Sequence, residues 1–139
     1  MTEQASRIDV ECTHCGAPCE GWVVQLIVES RLRWEAEWAC NRCGNTHDGD
    51  WGTGPDFVRS AIVAEHGNYR VRVTEGGASK GKVLKVFRDA FDCSIEDAKA
   101  FSEAAHVNGY VGTYIEASLV KQLLRRYGVD SSIEPDAAR

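Results

Sequence analysis

Alternating hydrophobic and polar residues predict a β-hairpin in the first third of the chain. Residues 22–28 are rich in aliphatic side chains, as expected of a strand. Residues 33–39 alternate charged and apolar side chains, which favours a strand with one exposed face. Residues 29–32 are expected to form the turn between these strands. The polar, glycine-rich residues 45–54 predict turns and loops.

A short helical connector is predicted over residues 55–67. Pro55 and Asp56 are suited to the start of a helix, and Gly67 is suited to its end. The residues expected to face the interior are Phe57 and Ile62, with Val58 and Ala61 as further candidates.

The rest of the chain predicts the order strand, helix, helix, strand, helix, strand. The predicted bounds are 69–73, 79–91, 94–105, 110–115, 116–127 and 129–133, and the fourth of these also fits an extended loop. Gly76 and Gly77 favour a turn, while Ser79 and Ser94 are suited to cap the first two helices. The expected buried stripe of the first helix is Val83, Phe87, Ala90 and Phe91. These patterns predict an α+β protein.

Four of the six cysteines form two Cys-x-x-Cys pairs. Cys12 and Cys15 form the first pair, Cys40 and Cys43 form the second, and glycine follows each pair directly. Glycine accommodates the tight turn that aims two sulfurs at one ion. The 24 residues between the pairs are enough for a hairpin that brings them together. This spacing predicts one structural zinc ion bound by these four cysteines, and the segment 12–43 resembles the zinc-ribbon family.

Other uses of the cysteines fit the pattern less well. A redox-active pair normally occurs singly at a strand-to-helix junction, and a catalytic zinc ion keeps an open coordination position. His14 or His47 could replace a cysteine ligand, although nothing in the spacing requires it. We interpret Cys19 as a bystander and Cys93 as a buried thiol.

Tryptophan is frequent in the first 51 residues, which contain all four. The simpler interpretation is that these residues form the small core that a ribbon needs besides its metal ion. The alternative is an exposed aromatic face, because tryptophan is common at binding hot spots. Alternation places Trp34 and Trp38 on the same side of their strand, so these two would form that face.

Residues 76–88 and 95–103 resemble the C-terminal domain of the bacterial ribosomal stalk protein. The two segments read GGASKGKVLKVFR and IEDAKAFSE, and that family carries a similar Gly-x-x-Lys, Val-Ile-Lys-x-Val-Arg and Glu-Ala-Lys pattern. The later part, with His106 and the helix from residue 116, looks more like the Clp protease adaptor that recognises N-terminal degradation signals. That adaptor shares the stalk domain's fold. The resemblance implies a β-α-α-β-α-β fold for residues 68–134.

The stalk-domain resemblance also implies a docking face on the first two helices. Translation factors dock there in that family, on lysines, an arginine and apolar residues. The matching positions in this chain are Lys80, Leu84, Lys85, Arg88 and Lys99. Lys80, Leu84 and Arg88 recur at four-residue spacing, so they share one side of a helix. A protein partner with an acidic surface would fit this face, whereas the alternative is an ordinary solvated basic face.

Fewer binding residues of the adaptor family have a counterpart in this chain. That family holds the amino terminus of its ligand with an Asn-Asp pair and a histidine. His106 matches the histidine, but Thr74 and Glu75 stand where the pair would be. Recognition of degradation signals is therefore not expected, and a lone histidine is more often a helix-end or core residue.

The formal net charge of −5 is unevenly distributed. Residues 1–66 contain five Lys/Arg and eleven Asp/Glu, whereas residues 67–139 contain eleven and ten. Acidic surfaces repel phosphate backbones, so the first half is poorly suited to bind nucleic acid. No apolar run approaches the roughly 20 residues that span a bilayer, and the N-terminal residues are polar. We expect no membrane contact and a cytoplasmic location.

The expected organisation is a zinc ribbon over 1–54, the connector over 55–67, a stalk-like domain over 68–134 and a tail over 135–139. Chelation is expected to unfold 12–43 and to leave 69–134 folded. No nucleophile–base set or phosphate-binding loop is evident, so an enzyme is not expected. The first hypothesis is a protein–protein adaptor. The alternatives are an inhibitor or immunity-type protein that neutralises a basic toxin, and a ribosome- or nucleic-acid-associated factor.

Overall fold

The structure is a computed structural model that describes residues 2–74 and 80–136, and these residues have the expected mixed α+β class. The elements are β1 (Glu3–Glu11), β2 (Pro18–Val28), β3 (Arg31–Cys40), β4 (Gly44–Trp51), α1 (Asp56–His66), β5 (Tyr69–Val73), α2 (Lys80–Phe91), α3 (Ile95–Val107), β6 (Tyr110–Gly112), α4 (Tyr114–Arg126) and β7 (Ser131–Pro135). None of the helices within the described ranges is long and apolar enough to cross a bilayer. The turn expected at 76–78, the Ser79 cap and Glu75 lie outside the described residues, as does most of the 135–139 tail.

Strands β1 to β4 form an antiparallel sheet in chain order. Strands β2 and β3 form the predicted hairpin, with Val28 opposite Arg31. Glu29 and Ser30 make the turn, with φ values of 49° and 63°. Two consecutive residues with positive φ are typical of the two-residue hairpin turn that matches strand twist.

Two further strands flank this hairpin. Strand β4 occupies most of residues 45–54, so the expectation of turns and loops there was wrong. Its side chains are mostly exposed because α1 packs mainly on β1 and β2, and β4 therefore lacks apolar alternation. Strand β1, at the other edge, buries the polar residues Gln4 and Ser6 at two inward positions. Backbone hydrogen bonds hold both edge strands, and almost any residue can supply them.

Helix α1 covers the inner face of this sheet with Val58 and Ile62. The other buried members of this core are Ile8, Val23, Trp34 and Ala36. Phe57 was expected to face inward but is 43% exposed. A helix turns about 100° per residue, which places Phe57 well away from the side shared by Val58 and Ile62.

The second half contains a three-stranded antiparallel sheet with the order β6-β5-β7. Helix α2 packs against α3 and α4, and α3 and α4 pack against this sheet. The stripe expected on α2 is buried, and Val86 joins it. The aromatic centre of this core has ring centroids 5.2 to 6.0 Å apart and consists of Phe87, Phe91, Phe101 and Tyr110.

The two halves are packed against each other. Leu32 of β3 is buried in the same core as side chains of α2 and α4. Gln25 of β2 is fully buried and donates to Glu116 of α4 at 2.9 Å. Arg126, the last residue of α4, donates to the hydroxyl oxygen of Ser30 at 2.6 Å. The first sheet and the helical half therefore share a buried interface.

Candidate metal centre

The chain path brings both cysteine pairs to one end of the first sheet. Cys12 and Cys15 lie in the β1–β2 loop. Cys40 is the last residue of β3, and Cys43 lies in the β3–β4 loop. Because successive neighbouring strands are antiparallel, these two loops meet at the same end of the sheet.

The four cysteine sulfurs lie within 4.8 Å of one another, which confirms the predicted clustering. Cys12 and Cys40 are buried, whereas Cys15 and Cys43 are exposed. The sulfurs of Cys15 and Cys40 are 3.5 Å apart. Four sulfurs held about 2.3 Å from one ion in a tetrahedron lie about 3.8 Å from each other. The cluster therefore has the size and donor chemistry of a metal site with four thiolate ligands.

Each pair begins with a sulfur that its own loop stabilises as a thiolate. Backbone N–H groups, first that of Cys15, lower the pKa of Cys12. Backbone N–H groups, first that of Arg42, lower the pKa of Cys40 to about 6. Thiolates are the metal-binding form of cysteine, so these loops prepare two of the four ligands.

The glycine after each pair has a conformation that other residues rarely adopt. Gly16 and Gly44 have φ values of 74° and 87°. The Gly16 N–H donates to the Cys12 carbonyl oxygen at 2.8 Å, which closes the first turn. Glycine adopts such positive φ values without steric cost, which explains its place after both pairs.

The other two sulfurs ionise less readily when no cation is bound. The Ala17 N–H favours the thiolate of Cys15, but contact with the Cys40 sulfur and burial raise its pKa overall. Contact with the Cys15 sulfur raises the pKa of Cys43 to about 12. Four adjacent thiolates repel one another, and a bound divalent cation removes that repulsion. The electrostatics of the cluster therefore favour a metal-bound state.

Cys19 lies beside the cluster but is not one of the four clustered sulfurs. Its thiol is buried next to Cys12 and Cys40 and donates to the Ala17 carbonyl oxygen at 3.5 Å. Burial raises the pKa of Cys19 to about 11. A buried, protonated thiol with its own hydrogen bond fits the bystander interpretation.

We expect Cys40→Ser to abolish stoichiometric metal binding and Cys19→Ser to leave it intact. The first change removes a buried sulfur of the four-cysteine cluster, whereas the second changes a neighbouring cysteine of similar burial outside that cluster. Plasma mass spectrometry of dialysed protein measures the metal content of both variants. Full metal content in Cys40→Ser, or its loss in Cys19→Ser, would contradict the assignment of ligands.

The histidines considered as substitute ligands lie outside this cluster. Among the described residues, no His, Asp or Glu joins the four clustered sulfurs. His47 lies on β4, with Nε2 3.5 Å from a carboxylate oxygen of Glu35. The cluster is thus an all-cysteine donor set.

Trp34 and Trp38 do not form an exposed face. Trp34 is buried beneath α1, and Trp38 is half-buried between that core and the cysteine cluster. They share one side of β3 as predicted, but this is the covered side of the sheet. The exposed tryptophans are Trp22 and Trp51.

The cations carried over from the stalk-domain resemblance lie on the surface of α2 and α3. The four exposed ones are Lys80, Lys85, Arg88 and Lys99. Leu84 is half-buried against the core, so only part of it is open to a partner. Lys85 forms an exposed ion pair with Asp89 at 3.7 Å.

His106 and Cys93 have local partners. His106 lies in the last turn of α3, with Nδ1 2.8 Å from the Ser102 carbonyl oxygen. This contact fits the expected helix-end role. Cys93 is half-buried, burial raises its pKa, and its thiol donates to the Phe87 carbonyl oxygen at 3.6 Å.

The sequence did not reveal a buried polar cluster between the two halves. The Glu116 side chain is fully buried, and Arg59 of α1 donates from Nε and Nη2 to its carboxylate at 2.7 and 2.8 Å. The same carboxylate accepts from Gln25, from the Tyr110 hydroxyl and from the Thr113 N–H. Contact with Glu116 raises the pKa of Arg59, and burial raises the pKa of Tyr110. These contacts join α1, β2 and α4.

One local signal of this cluster was present in the sequence. Thr113 and Glu116 form a capping box at the start of α4, and Thr-x-x-Glu is its sequence signature. The signature marks a helix start but does not indicate that its glutamate is buried. The contacts to Gln25 and Arg59 span 91 and 57 residues, so only the tertiary structure reveals them.

The candidate sites are therefore an all-cysteine cluster, a basic surface on two helices and a buried polar cluster that joins the halves. No protein family matches the chain, and neither a curated protein nor a solved structure is detectably similar to it.

Proposed function

We propose that this chain is a non-catalytic adaptor that binds an acidic protein surface through α2 and α3. The basic face consists of Lys80, Lys85, Arg88 and Lys99. The observation that carries the proposal is the exposure of these four cations on helices whose apolar sides are buried in the core. Charge complementarity would steer an acidic partner to this face and orient it there.

The metal in this proposal is one structural zinc ion bound by the cysteine cluster. Four thiolates in two Cys-x-x-Cys pairs are the donor set that structural zinc prefers. With four cysteine ligands, zinc has no open position for water or substrate. Its role would be to link the β1–β2 and β3–β4 loops, so we assign no reaction to the site.

The order of elements from β5 to β7 supports the resemblance to the ribosomal stalk domain. That segment runs strand, helix, helix, strand, helix, strand, the order that the resemblance implies. The positions taken from the family's docking face lie on α2 and α3, which pack against each other. Both observations agree with an adaptor, but a shared fold does not by itself specify a partner.

Reversing two charges on the basic face is expected to weaken partner binding by about tenfold or more. In the Lys85→Glu, Arg88→Glu double variant, two attractive contacts become repulsive. Affinity capture from an extract of the native cells, read by mass spectrometry, would identify proteins retained by the wild type. Calorimetry with each purified candidate would then give the change in Kd.

The matched control is the Lys121→Glu, Arg125→Glu double variant on α4, which makes the same change of charge on another helix. Partners that bind the control but not the Lys85→Glu, Arg88→Glu variant would support the proposal. If every captured protein with an acidic surface binds both variants equally, the proposal is contradicted and the inhibitor hypothesis is favoured. Circular dichroism of each variant checks that the helices remain folded.

A further inference from the structure

The first sheet has an outer face that no element covers in the part of the chain that the structure describes. Inward positions of β2 and β3 are buried beneath α1 and against the second half. The alternate positions point outward and form a groove of about 810 Å³ near the cysteine end of the sheet. The side chains of this outer groove that matter here are Arg7, Asp9, Glu20, Trp22 and Glu37.

Trp22 lies on β2, between the side chains of β1 and β3 that line the outer groove. It pairs with Arg7 of β1 on one side and with Glu37 of β3 on the other. Adjacent strands are about 4.8 Å apart, so these three side chains are immediate neighbours. The Trp22 side chain is 47% exposed, although aromatic side chains normally gain from burial. An exposed indole in a groove suits a partner that covers it.

The groove carries an excess of negative charge. Arg7 donates to Glu20 at 2.9 Å, so each of these charges has a partner. Within residues 2–74 and 80–136, neither Asp9 nor Glu37 forms an ion pair. The groove therefore holds two carboxylates without an ion-pair partner, Glu37 directly beside the exposed indole and Asp9 two positions along β1 from Arg7.

The second exposed tryptophan of the sheet, Trp51, shows which kind of side chain packs over an indole on this surface. The guanidinium carbon of Arg31 lies 4.1 Å from the centroid of the Trp51 ring, and that of Arg33 lies 5.3 Å away. A cation over an indole is a favourable arrangement, and arginine is its most common source. The described chain places no such cation over Trp22.

We propose that the outer groove binds an arginine-containing segment of a basic protein partner. One guanidinium lies over the Trp22 ring, and Glu37 and Asp9 provide carboxylates for its N–H donors. Arginine fits better than lysine because its planar guanidinium stacks on a ring and forms paired hydrogen bonds with carboxylates.

This interaction is separate from the proposed adaptor function. The basic face on α2 and α3 selects an acidic partner, whereas the outer groove selects a basic one. The two surfaces use different residues in different halves of the chain. Either interaction can therefore fail without affecting the evidence for the other.

The test is fluorescence anisotropy with a labelled peptide of alternating arginine and glycine and the whole 139-residue chain as purified. The wild type is expected to bind the peptide, with affinity falling as salt is added. Trp22→Ala is expected to raise Kd about tenfold, because it removes both the stacking surface and the apolar contact. Glu37→Lys is expected to raise Kd by at least as much, because it replaces an attractive charge with a repulsive one.

Two controls separate this site from general attraction to an acidic protein. Trp51→Ala removes the exposed tryptophan that the chain's own arginines cover, and Glu103→Lys makes the same charge change as Glu37→Lys on the distant helix α3. Both controls are expected to keep the wild-type Kd within about twofold. A peptide in which lysine replaces arginine is expected to bind more weakly.

The proposal is overturned if Trp22→Ala binds the peptide as well as the wild type does. It is also overturned if Glu103→Lys weakens binding as much as Glu37→Lys. The other possible occupant of the groove is a second copy of this chain. Sedimentation of the wild type without peptide tests for such a dimer. A dimer that Trp22→Ala dissociates would assign the groove to self-association and would likewise overturn the proposal.

Discussion

Replacing Glu116 with alanine should lower the free energy of unfolding by about 3 kcal/mol. The change leaves Arg59 without its carboxylate and removes an acceptor from Gln25 and from the Thr113 N–H. Breaking a buried ion pair by removing one partner typically costs about 3 to 5 kcal/mol. The lower value is expected here because the Arg59 side chain is 35% exposed and can regain water. Urea denaturation followed by circular dichroism measures the change.

The matched control is Glu103→Ala, which removes an exposed carboxylate from α3. Its free energy of unfolding should stay within about 0.5 kcal/mol of the wild-type value. Arg59→Ala combined with Glu116→Ala should cost less than the sum of the two single changes, because each single change already breaks the same pair. A loss below about 1 kcal/mol for Glu116→Ala would show that this cluster does not stabilise the packing of the halves. Strict additivity of the two changes would show that Arg59 and Glu116 do not act as a pair.

The cysteine cluster could be predicted because its determinants are local. Two residues separate the cysteines of each pair, and the glycine that follows each pair lies in the same short loop. The remaining requirement is a hairpin that returns the chain to the same end of the sheet. Apolar and charged residues in 22–39 indicate that hairpin directly. The sequence therefore contains almost all the information that places the four sulfurs together.

The edge strands were harder to predict for a physical reason. Strand β4 is held by backbone hydrogen bonds to β3, and most of its side chains are exposed. A strand of this kind has no hydrophobic alternation, and its glycines at 44 and 49 favour a loop by local criteria. Pairing with an already formed neighbour is a tertiary effect that a local pattern does not contain.

Local sequence patterns also could not predict which tryptophans are exposed and which are buried. Residues 22–28 are almost continuously apolar, so alternation cannot say which side of β2 Trp22 occupies. The register with Arg7 and Glu37 places it outward, whereas Trp34 on β3 lies inward beneath α1. The exposed tryptophans of the sheet therefore lie on the face opposite to the one that carries Trp34 and Trp38.

Chelation of the proposed zinc ion should unfold the first sheet and also destabilise the helical half. Without the ion, the described residues form no disulfide and no ion pair between the β1–β2 loop and the β3–β4 loop. Structural zinc contributes on the order of 10 kcal/mol in zinc-finger peptides, which is comparable with the whole stability of a domain. The sequence alone suggested that 69–134 would remain folded. Leu32 and Gln25 change that expectation, because they complete the core and the polar cluster of the second half.

The distribution of aromatic residues makes this prediction easy to test. All four tryptophans lie in the first 51 residues, so tryptophan fluorescence reports on the first sheet alone. Far-ultraviolet circular dichroism reports mainly on helices, and three of the four lie in the second half. Denaturant titrations with and without chelator should show both signals moving to lower denaturant concentration together, whereas Cys40→Ser should not respond to chelator. A fluorescence change without a change in the helical signal would mean that the halves fold independently. No change in either signal would exclude a structural role for the metal, because removing an ion that stabilises the sheet must lower the denaturant concentration at which the sheet unfolds.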